Sequence, residues 1–370
     1  MNQQTKDRGL TAGEPAQQAK PAAKPRLPVN PFSNLSTDTP DDQLLLVTSS
    51  PHLHSGDTTR RLMGEVLIAL TPAALMAVFL FGYRAAAHIL LAVCSCMGFE
   101  ALYCHLRKWP VTVFDLSAAI TGVLLAFNLP VAAPLWMPVV GSFFAIFIVK
   151  MLFGGLGKNF VNPALVGRVF LANSWAGDMV SWTRPVLNPF TWTTVTADAL
   201  TGATPLGLLK SGALPEAYGH GGQLWNMLIG ARGGCLGETC ALLLVAGGLY
   251  LMVRGVISWH IPAGYIGTVA LFALLFPVGG ASPLLSVFYS LTGGGLMLGA
   301  FFMATDYVTS PLSDRARLFY GIGCGLLTVF IRRFGPAAEG VSFSILIMNL
   351  VVWFLDRATL PRRFGEEASK

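Results

Sequence analysis

Long apolar blocks separated by short polar segments make up the chain from about residue 61 onward. A helix that crosses a bilayer needs about 20 apolar residues, and fewer where a broken helix is enclosed by its neighbours. On this criterion the pattern predicts about ten membrane-spanning helices. Their expected ranges are 62–82, 85–104, 112–129, 135–153, 162–176, 235–253, 262–278, 284–304, 317–331 and 341–355.

The composition agrees with this pattern. The 370 residues are 53% apolar and only 12% charged, with a mean hydropathy of +0.59. Soluble domains have about a quarter of their residues charged, so this chain cannot cover its surface in water. The net charge of +6 comes without a basic stripe interleaved with aromatic residues. We therefore expect an all-α integral membrane protein that does not bind nucleic acid.

The basic residues predict the orientation of the spans. If the N-terminus is cytoplasmic, 18 of the 25 Lys and Arg residues lie on the cytoplasmic side and six on the other, with Arg168 inside a span. Without the seven basic residues up to Arg61 the ratio is still 11 to six. The positive-inside rule therefore favours cytoplasmic N- and C-termini and an extracytoplasmic loop at 177–234.

Two segments of the chain resemble each other at a constant offset of 183 residues: "GSFFAIFIVKMLFGGLGKNF" (141–160) and "CGLLTVFIRRFGPAAEGVSF" (324–343). Five spans per half is an odd number, which predicts two repeats of opposite orientation with sites near the midplane. The expected organisation is a disordered, Pro- and Lys-rich tail without a cleaved signal (1–60), repeats at 61–176 and 235–356, the loop between them, and a C-terminal tail (357–370).

The stretch "DALTGATPLGLLK" (198–210) is a polar turn inside that loop. Pro205 favours an extended Thr204, which would expose its hydroxyl group, and Asp198 lies six residues earlier. From the residues alone, an ordinary turn with a helix cap is the simpler explanation.

Two further stretches carry polar groups at the ends of spans. In "GGLGKNFVNPALVGRVFL" (154–171), Asn159 and Asn162 suit a flat heterocycle, although Asn162-Pro163 also has the form of a helix cap. Arg168 lies inside the same span, where it is either functional or held in a buried pair. In "GAFFMATDYVTSP" (299–311), Asp306 can bind a ligand or a cation, or end a helix in water.

Other acidic residues lie in or near apolar blocks: Asp115, Glu65, Glu100 and Glu238. Each belongs either to an ion path or to the interface with water. The six cysteines form no CxxC pair and no Cys/His cluster with zinc spacing, so we expect small packing residues and no metal site in this chain alone. A metal site shared with a partner subunit stays open.

Seven motifs occur together in order: "SPHLH", "DLSAAITGVLLAFNLP", "GGLGKNFVNPA", "DALTGATPL", "WHIP", "GAFFMATDYVTSP" and "GVSFSILIMN". Over residues 45–358 the chain resembles the RnfD/NqrB family of redox-driven ion-translocating complexes. The "SPHLH" and "WHIP" elements and the compact length favour the Rnf branch, whose complexes exchange electrons between NADH and ferredoxin coupled to Na⁺ or H⁺ movement. The chain would then be one component of a translocase in the bacterial inner membrane, with no catalytic residue of its own.

The resemblance also implies cofactors. The second Thr of the family's [ST]GAT element carries FMN through a phosphoester made by a flavin transferase. Thr204 is that residue here, within a motif that includes Asp198, Thr201, Gly202 and Ala203. A non-covalent riboflavin is held at positions that match Asn159, Asn162 and Asp306. The implied partners are the other Rnf subunits, including an FMN-bearing G-type subunit and iron–sulfur subunits, together with membrane lipid.

Three other functions stay open at this point. An NqrB-type subunit of a sodium-pumping quinone reductase would also be flavinylated and would be distinguished by its partners. A solute channel or transporter on the same inverted repeat would bind no flavin. A scaffold subunit would tolerate Thr204→Ala without loss of electron flow.

Overall fold

A computed structural model describes residues 57–183, 204–210, 225, 227–230, 233–238, 240–277, 282–335 and 339–359. Within these ranges the chain is helical, with connecting segments and no β-strand. The expected tail at 1–60 lies outside the described residues except for its last four. The first helix already begins at Thr59.

Thirteen helices can be numbered along the described residues. They are α1 (Thr59–Phe81), α2 (Tyr83–Arg107), α3 (Ser117–Phe127), α4 (Met137–Ser142), α5 (Pro163–Ser174), α6 (Ala176–Met179), α7 (Pro205–Lys210), α8 (Ala241–Val253), α9 (His260–Leu275), α10 (Pro283–Thr292), α11 (Leu296–Leu298), α12 (Asp314–Phe334) and α13 (Val341–Thr359). Two of them continue as π-helix, α4 through Phe143–Met151 and α11 through Gly299–Met303.

Each of the ten ranges expected to span a membrane overlaps a helix of this series. By length and hydropathy, α1, α2 and α13 can each cross a bilayer, and α10 with α11 forms a fourth candidate bent by 63°. Four further apolar helices are shorter, at 10 to 17 residues. The described chain is therefore a helical, multi-pass membrane protein, while a total of ten spans stays a prediction.

Equivalent helices pack in equivalent ways in the two expected repeats. The second helix of each half packs along the fourth, α2 on α4 and α9 on α12, and the two first helices, α1 and α8, pack on each other. Gly264 and Gly321 allow the close approach of α9 and α12, since a β-carbon on Gly321 would lie 2.6 Å from the carbonyl oxygen of Ile261. Small residues at such contacts are typical of membrane helices.

The third helical segment of each half is interrupted in the interior. Helix α3 ends at Phe127, and the following Leu129 carbonyl accepts a hydrogen bond from Leu236 N at 3.1 Å. In the second half, the break between α10 and α11 includes Gly294, whose φ of +66° is in the left-handed region that favours glycine. Side chains from both halves therefore meet around these breaks.

Large apolar side chains point outward along many helices. Exposed examples are Leu75, Leu90, Val253, Leu284, Phe330 and Trp353. A surface with so many apolar groups suits contact with lipid, because in water it would be a large unfavourable patch.

Candidate functional site

One cavity collects the three residues that the sequence motifs connect with riboflavin. It has a volume of about 740 Å³, and Asn159, Asn162 and Asp306 all line it. Phe301 and Phe302 of the second half contribute aromatic walls. Apolar walls with a few polar groups among them are typical of sites for small organic ligands.

Asn162 has a structural task as well as a place in this cavity. Its Oδ1 accepts hydrogen bonds from Ala164 N at 3.1 Å and Leu165 N at 3.4 Å, so it caps α5 as the Asn-Pro pair predicts. Its Nδ2 donates to the Met303 carbonyl at 3.3 Å, across to the second half.

Asn159 is buried beside it, with a smaller structural task. Its Nδ2 donates to the carbonyl of Val161, only two positions away, at 3.3 Å. This contact is local and joins no other helix. Asn159 can therefore meet a ligand at less cost to the fold than Asn162 can.

Asp306 lies shortly after the π-helical segment that ends at Met303. Thr309 Oγ1 donates to its Oδ2 at 3.1 Å. Burial raises the pKa of the Asp306 carboxyl group, while hydrogen bonds from Thr309 and from the Val308 and Tyr307 backbone oppose that shift. The cavity thus contains a carboxyl group that is more easily protonated than a surface aspartate.

A buried cation also lines the cavity. Lys150 is 3% exposed, and its Nζ lies 2.9 Å from Glu100 Oε2 and 2.6 Å from Ser117 Oγ. Thr112 Oγ1 donates to the other Glu100 oxygen at 2.5 Å, and Ser117 Oγ donates to Asp115 Oδ1 at 2.5 Å. The charge count treats Lys150, near the end of the expected span 135–153, as a cytoplasmic residue, but the structure buries it. The continuation of α4 as π-helix was the feature that the hydropathy pattern could not reveal.

Arg168 is buried between the halves and pairs with Glu339, which lies just before α13. Its NH1 group donates to Asn128 Oδ1 at 3.0 Å and to Ser342 Oγ at 2.7 Å. Burial alone would raise the pKa of Glu339, but the Arg168 guanidinium outweighs it and holds that pKa below its usual value. Of the two explanations open for Arg168, the structure supports the buried pair and places the residue outside the lining of the cavity.

Two more groups adjoin this pair. Potential ligand atoms of Cys235, Glu238 and Glu339 lie within 4.8 Å of one another, a grouping that sequence spacing did not predict. Arg168 NH2 lies 3.8 Å from Cys235 Sγ and also contacts Glu339, so a positive charge already lies beside the cluster. Of the other cysteines, Cys94 is exposed and the rest are buried as packing residues.

Thr204 directly precedes the short helix α7. Its Oγ1 accepts a hydrogen bond from Gly207 N at 3.1 Å, so Thr204 caps this helix, and the residue is 8% exposed. Beside α7 is a second cleft of about 660 Å³. It is lined by Leu206, Lys210, Phe272, Phe276, Arg332 and Arg333, among others. The remaining motif residues, Asp198, Thr201, Gly202 and Ala203, lie outside the described part of the chain.

Comparison with known proteins gives a single family. Residues 46–365 match the model of the NQR2, RnfD, RnfE family. The chain is 47% identical over 324 residues to the D subunit of the Na⁺-translocating ferredoxin:NAD⁺ oxidoreductase complex of Acetobacterium woodii, covering 87% of this chain and 95% of the relative. It is 40% identical to the D subunit of the proton-translocating ferredoxin:NAD⁺ oxidoreductase complex of Clostridium ljungdahlii, covering 87% and 96%. With the D subunit of the ion-translocating oxidoreductase complex of Cronobacter sakazakii the identity is 37%, covering 86% and 98%.

Proposed function

The chain belongs to the NQR2, RnfD, RnfE family, and we propose on this basis that it is the membrane D subunit of an Rnf complex. Such a complex exchanges electrons between ferredoxin and NAD⁺ and couples this reaction to ion movement, as the names of the relatives state. Two of these names give different ions, Na⁺ and H⁺, so similarity alone does not assign the coupling ion here. All three relatives carry the oxidoreductase name, which favours this function over a channel. Two of the names specify ferredoxin and NAD⁺, which favours this function over a component of a quinone reductase.

The first proposed cofactor is FMN, joined to Thr204 through a phosphoester. Thr204 lies in the "TGAT" element, and the neighbouring cleft of about 660 Å³ offers space and positive charge close to it. Lys210, Arg332 and Arg333 line that cleft, so an anionic group would be attracted there. Because Thr204 Oγ1 accepts from Gly207 N, flavin transfer would require this cap to open or to accommodate an esterified oxygen.

The second proposed cofactor is riboflavin in the cavity of about 740 Å³. The single observation that supports it best is the convergence of Asn159, Asn162 and Asp306, which are up to 147 positions apart, on that one cavity. Amide groups and a carboxyl group offer both donors and acceptors to the polar edge of a ring system. The Phe301 and Phe302 rings supply flat apolar contacts.

In this function the residues hold cofactors and tune their surroundings. Flavins, when bound, accept and pass on electrons one or two at a time. Asn159 and Asn162 would orient the ring, Asp306 would contact its polar edge, and the apolar walls would keep water away. Thr204 would serve only as an anchor that prevents loss of the cofactor.

The proposed location is the bacterial inner membrane, with both termini in the cytoplasm and residues 177–234 in the periplasm. The charge count assigns both Lys210 and Arg333 to the outward side. A contact among described residues supports a common side for them, since Lys210 donates to the carbonyl of Gly335, two positions after Arg333. Further partners would be a flavin transferase, an FMN-bearing G-type subunit, iron–sulfur subunits and lipid.

In-gel fluorescence tests the anchor. The full chain is expressed with a flavin transferase and denatured, and its ultraviolet fluorescence is compared among wild type, Thr204→Ala and Thr193→Ala, which removes a threonine outside the motif. We expect fluorescence in wild type and Thr193→Ala and none in Thr204→Ala. A dark wild-type band beside a fluorescent control substrate would refute covalent attachment. Electron flow through the complex that survives Thr204→Ala would favour a scaffold.

A further inference from the structure

Lys150 is held in a fixed position at the wall of the larger cavity. It lies near the end of the π-helical segment Phe143–Met151, and its ammonium group contacts Glu100 of α2 and Ser117 of α3. Both acceptors have a second partner. Glu100 accepts a hydrogen bond from Thr112, and Ser117 donates one to Asp115. A flexible lysine side chain is thereby fixed by contacts with two other helices, which is unusual for packing alone.

The ammonium group retains one donor. A lysine ammonium has three N–H bonds, and among the described residues two of them are accounted for, by Glu100 and Ser117. The residue is 3% exposed and lines the cavity together with Asn159, Asn162 and Asp306. The charge of Lys150 also reaches Asp306, whose pKa it helps to lower against the effect of burial. An acceptor atom of a molecule in the cavity is the natural partner for the third N–H bond.

We propose that Lys150 binds the polar edge of the riboflavin ring and makes the cavity favour the reduced flavin over the oxidised one. This inference rests on the proposed function. Reduction increases the negative charge of the ring system, and a fixed cation in a site with little water stabilises that charge strongly. No proton has to leave Lys150 and no bond has to form, so its effect is a difference in binding between two redox states.

Glu100 has a separate, structural role in this proposal: it fixes the position of Lys150 and, unlike Lys150, is not among the residues that line the cavity. Removing Lys150 alone would leave Glu100 as a buried carboxylate without its cation, which threatens the fold. The double variant Lys150→Met/Glu100→Gln removes both charges at once and keeps side chains of similar volume. Gln can still accept the hydrogen bond from Thr112, so this variant should fold.

The test measures dissociation constants for oxidised and reduced riboflavin, using the purified full chain with Thr204→Ala so that no covalent flavin interferes. For Lys150→Met/Glu100→Gln we expect the ratio of affinity for reduced over oxidised riboflavin to fall about tenfold or more. Lys150→Arg should stay close to the starting chain because the charge is kept. Lys158→Met, which removes an exposed lysine of the adjacent loop, should have no effect.

Each other outcome is also informative. An unchanged ratio in a folded double variant that still binds riboflavin would overturn the role of Lys150 and leave the riboflavin site standing. A starting chain that binds no riboflavin in either state would overturn both this inference and the riboflavin assignment. The anchor at Thr204 would be untouched by either result, because in-gel fluorescence tests it separately.

Discussion

The guanidinium group of Arg168 in α5 pairs with the carboxylate of Glu339, although the two residues are 171 positions apart in sequence. This pair joins the last span of the first half to the segment that leads into the last helix of the second. Asn128 and Ser342 complete the hydrogen bonds of the Arg168 NH1 group. The contact therefore ties the two halves together close to the interrupted helices, about where an inverted repeat would place its functional region.

Loss of either partner should destabilise the chain strongly. Arg168→Met leaves Glu339 as a buried carboxylate without its cation, and removal of one partner of a buried pair costs about 3–5 kcal/mol. Thermal unfolding in detergent would show a large fall in Tm. The matched control is Arg317→Met, which breaks an exposed pair with Asp314 expected to contribute about 0–1 kcal/mol. Equal effects of the two substitutions would contradict a special role for the buried pair.

Acid should weaken the same contact. The pKa of Glu339 is held below its usual value in the folded chain. The stability that the ionised carboxylate contributes is therefore fully present above the pKa that Glu339 has in the unfolded chain. This stability is lost as the pH falls through the pKa that Glu339 has in the folded chain. We expect the Tm difference between wild type and Glu339→Gln to be large at neutral pH and to shrink as the solution becomes acidic. Asp314→Asn serves as the exposed comparison. A difference that is constant over this range would refute the ionised pair.

The two asparagines of the cavity should separate binding from folding. Asn159→Leu should reduce non-covalent riboflavin at least several-fold with little change in Tm, since the described contact of its side chain is local. Asn162→Ala should reduce riboflavin and also lower stability by about 1 kcal/mol, because the cap of α5 is lost. Flavin content after gel filtration and thermal unfolding measure the two effects. Full riboflavin content in Asn159→Leu would exclude this residue from the site.

Close approach at the interrupted helices should make Gly237 intolerant of a side chain. A β-carbon there would lie 2.6 Å from Phe127 Cβ and 2.8 Å from Leu298 Cδ2. We expect Gly237→Ala to cost about 1–3 kcal/mol through overpacking. Gly267→Ala is the control, since nothing lies within 4 Å of its added carbon. If both variants unfold like wild type, the halves do not pack as closely as described.

Hydropathy and turn chemistry predicted much of this fold. Each expected span overlaps a helix, and Asn162-Pro163 starts α5 as its residues indicate. These features depend on local sequence, which is why they could be predicted. The exposed Thr204 hydroxyl was expected from Pro205, but in the structure this oxygen caps α7 and the residue is buried. Thr204 is buried because it packs against helices that are distant in the sequence, which local sequence does not reveal.

The buried ion pairs were the main features that sequence did not reveal. Lys150 and Glu100 are 50 positions apart, and nothing in their local sequence distinguishes a lysine at a membrane surface from one inside a bundle. Arg168 was recognisable as costly inside a span, but its partner could not be found without the tertiary fold. The three residues assigned to riboflavin were identified through family motifs, and only the structure brought them to one cavity.

The central claim is that this one chain carries two flavins, one anchored and one free to leave on denaturation. The most direct measurement is a flavin count on the purified full chain expressed with its flavin transferase. After acid precipitation, the account predicts one FMN per chain in the protein pellet and one riboflavin per chain in the supernatant. A chain that retains no flavin in the pellet and releases none, while a control substrate of the same transferase is modified, would contradict the account.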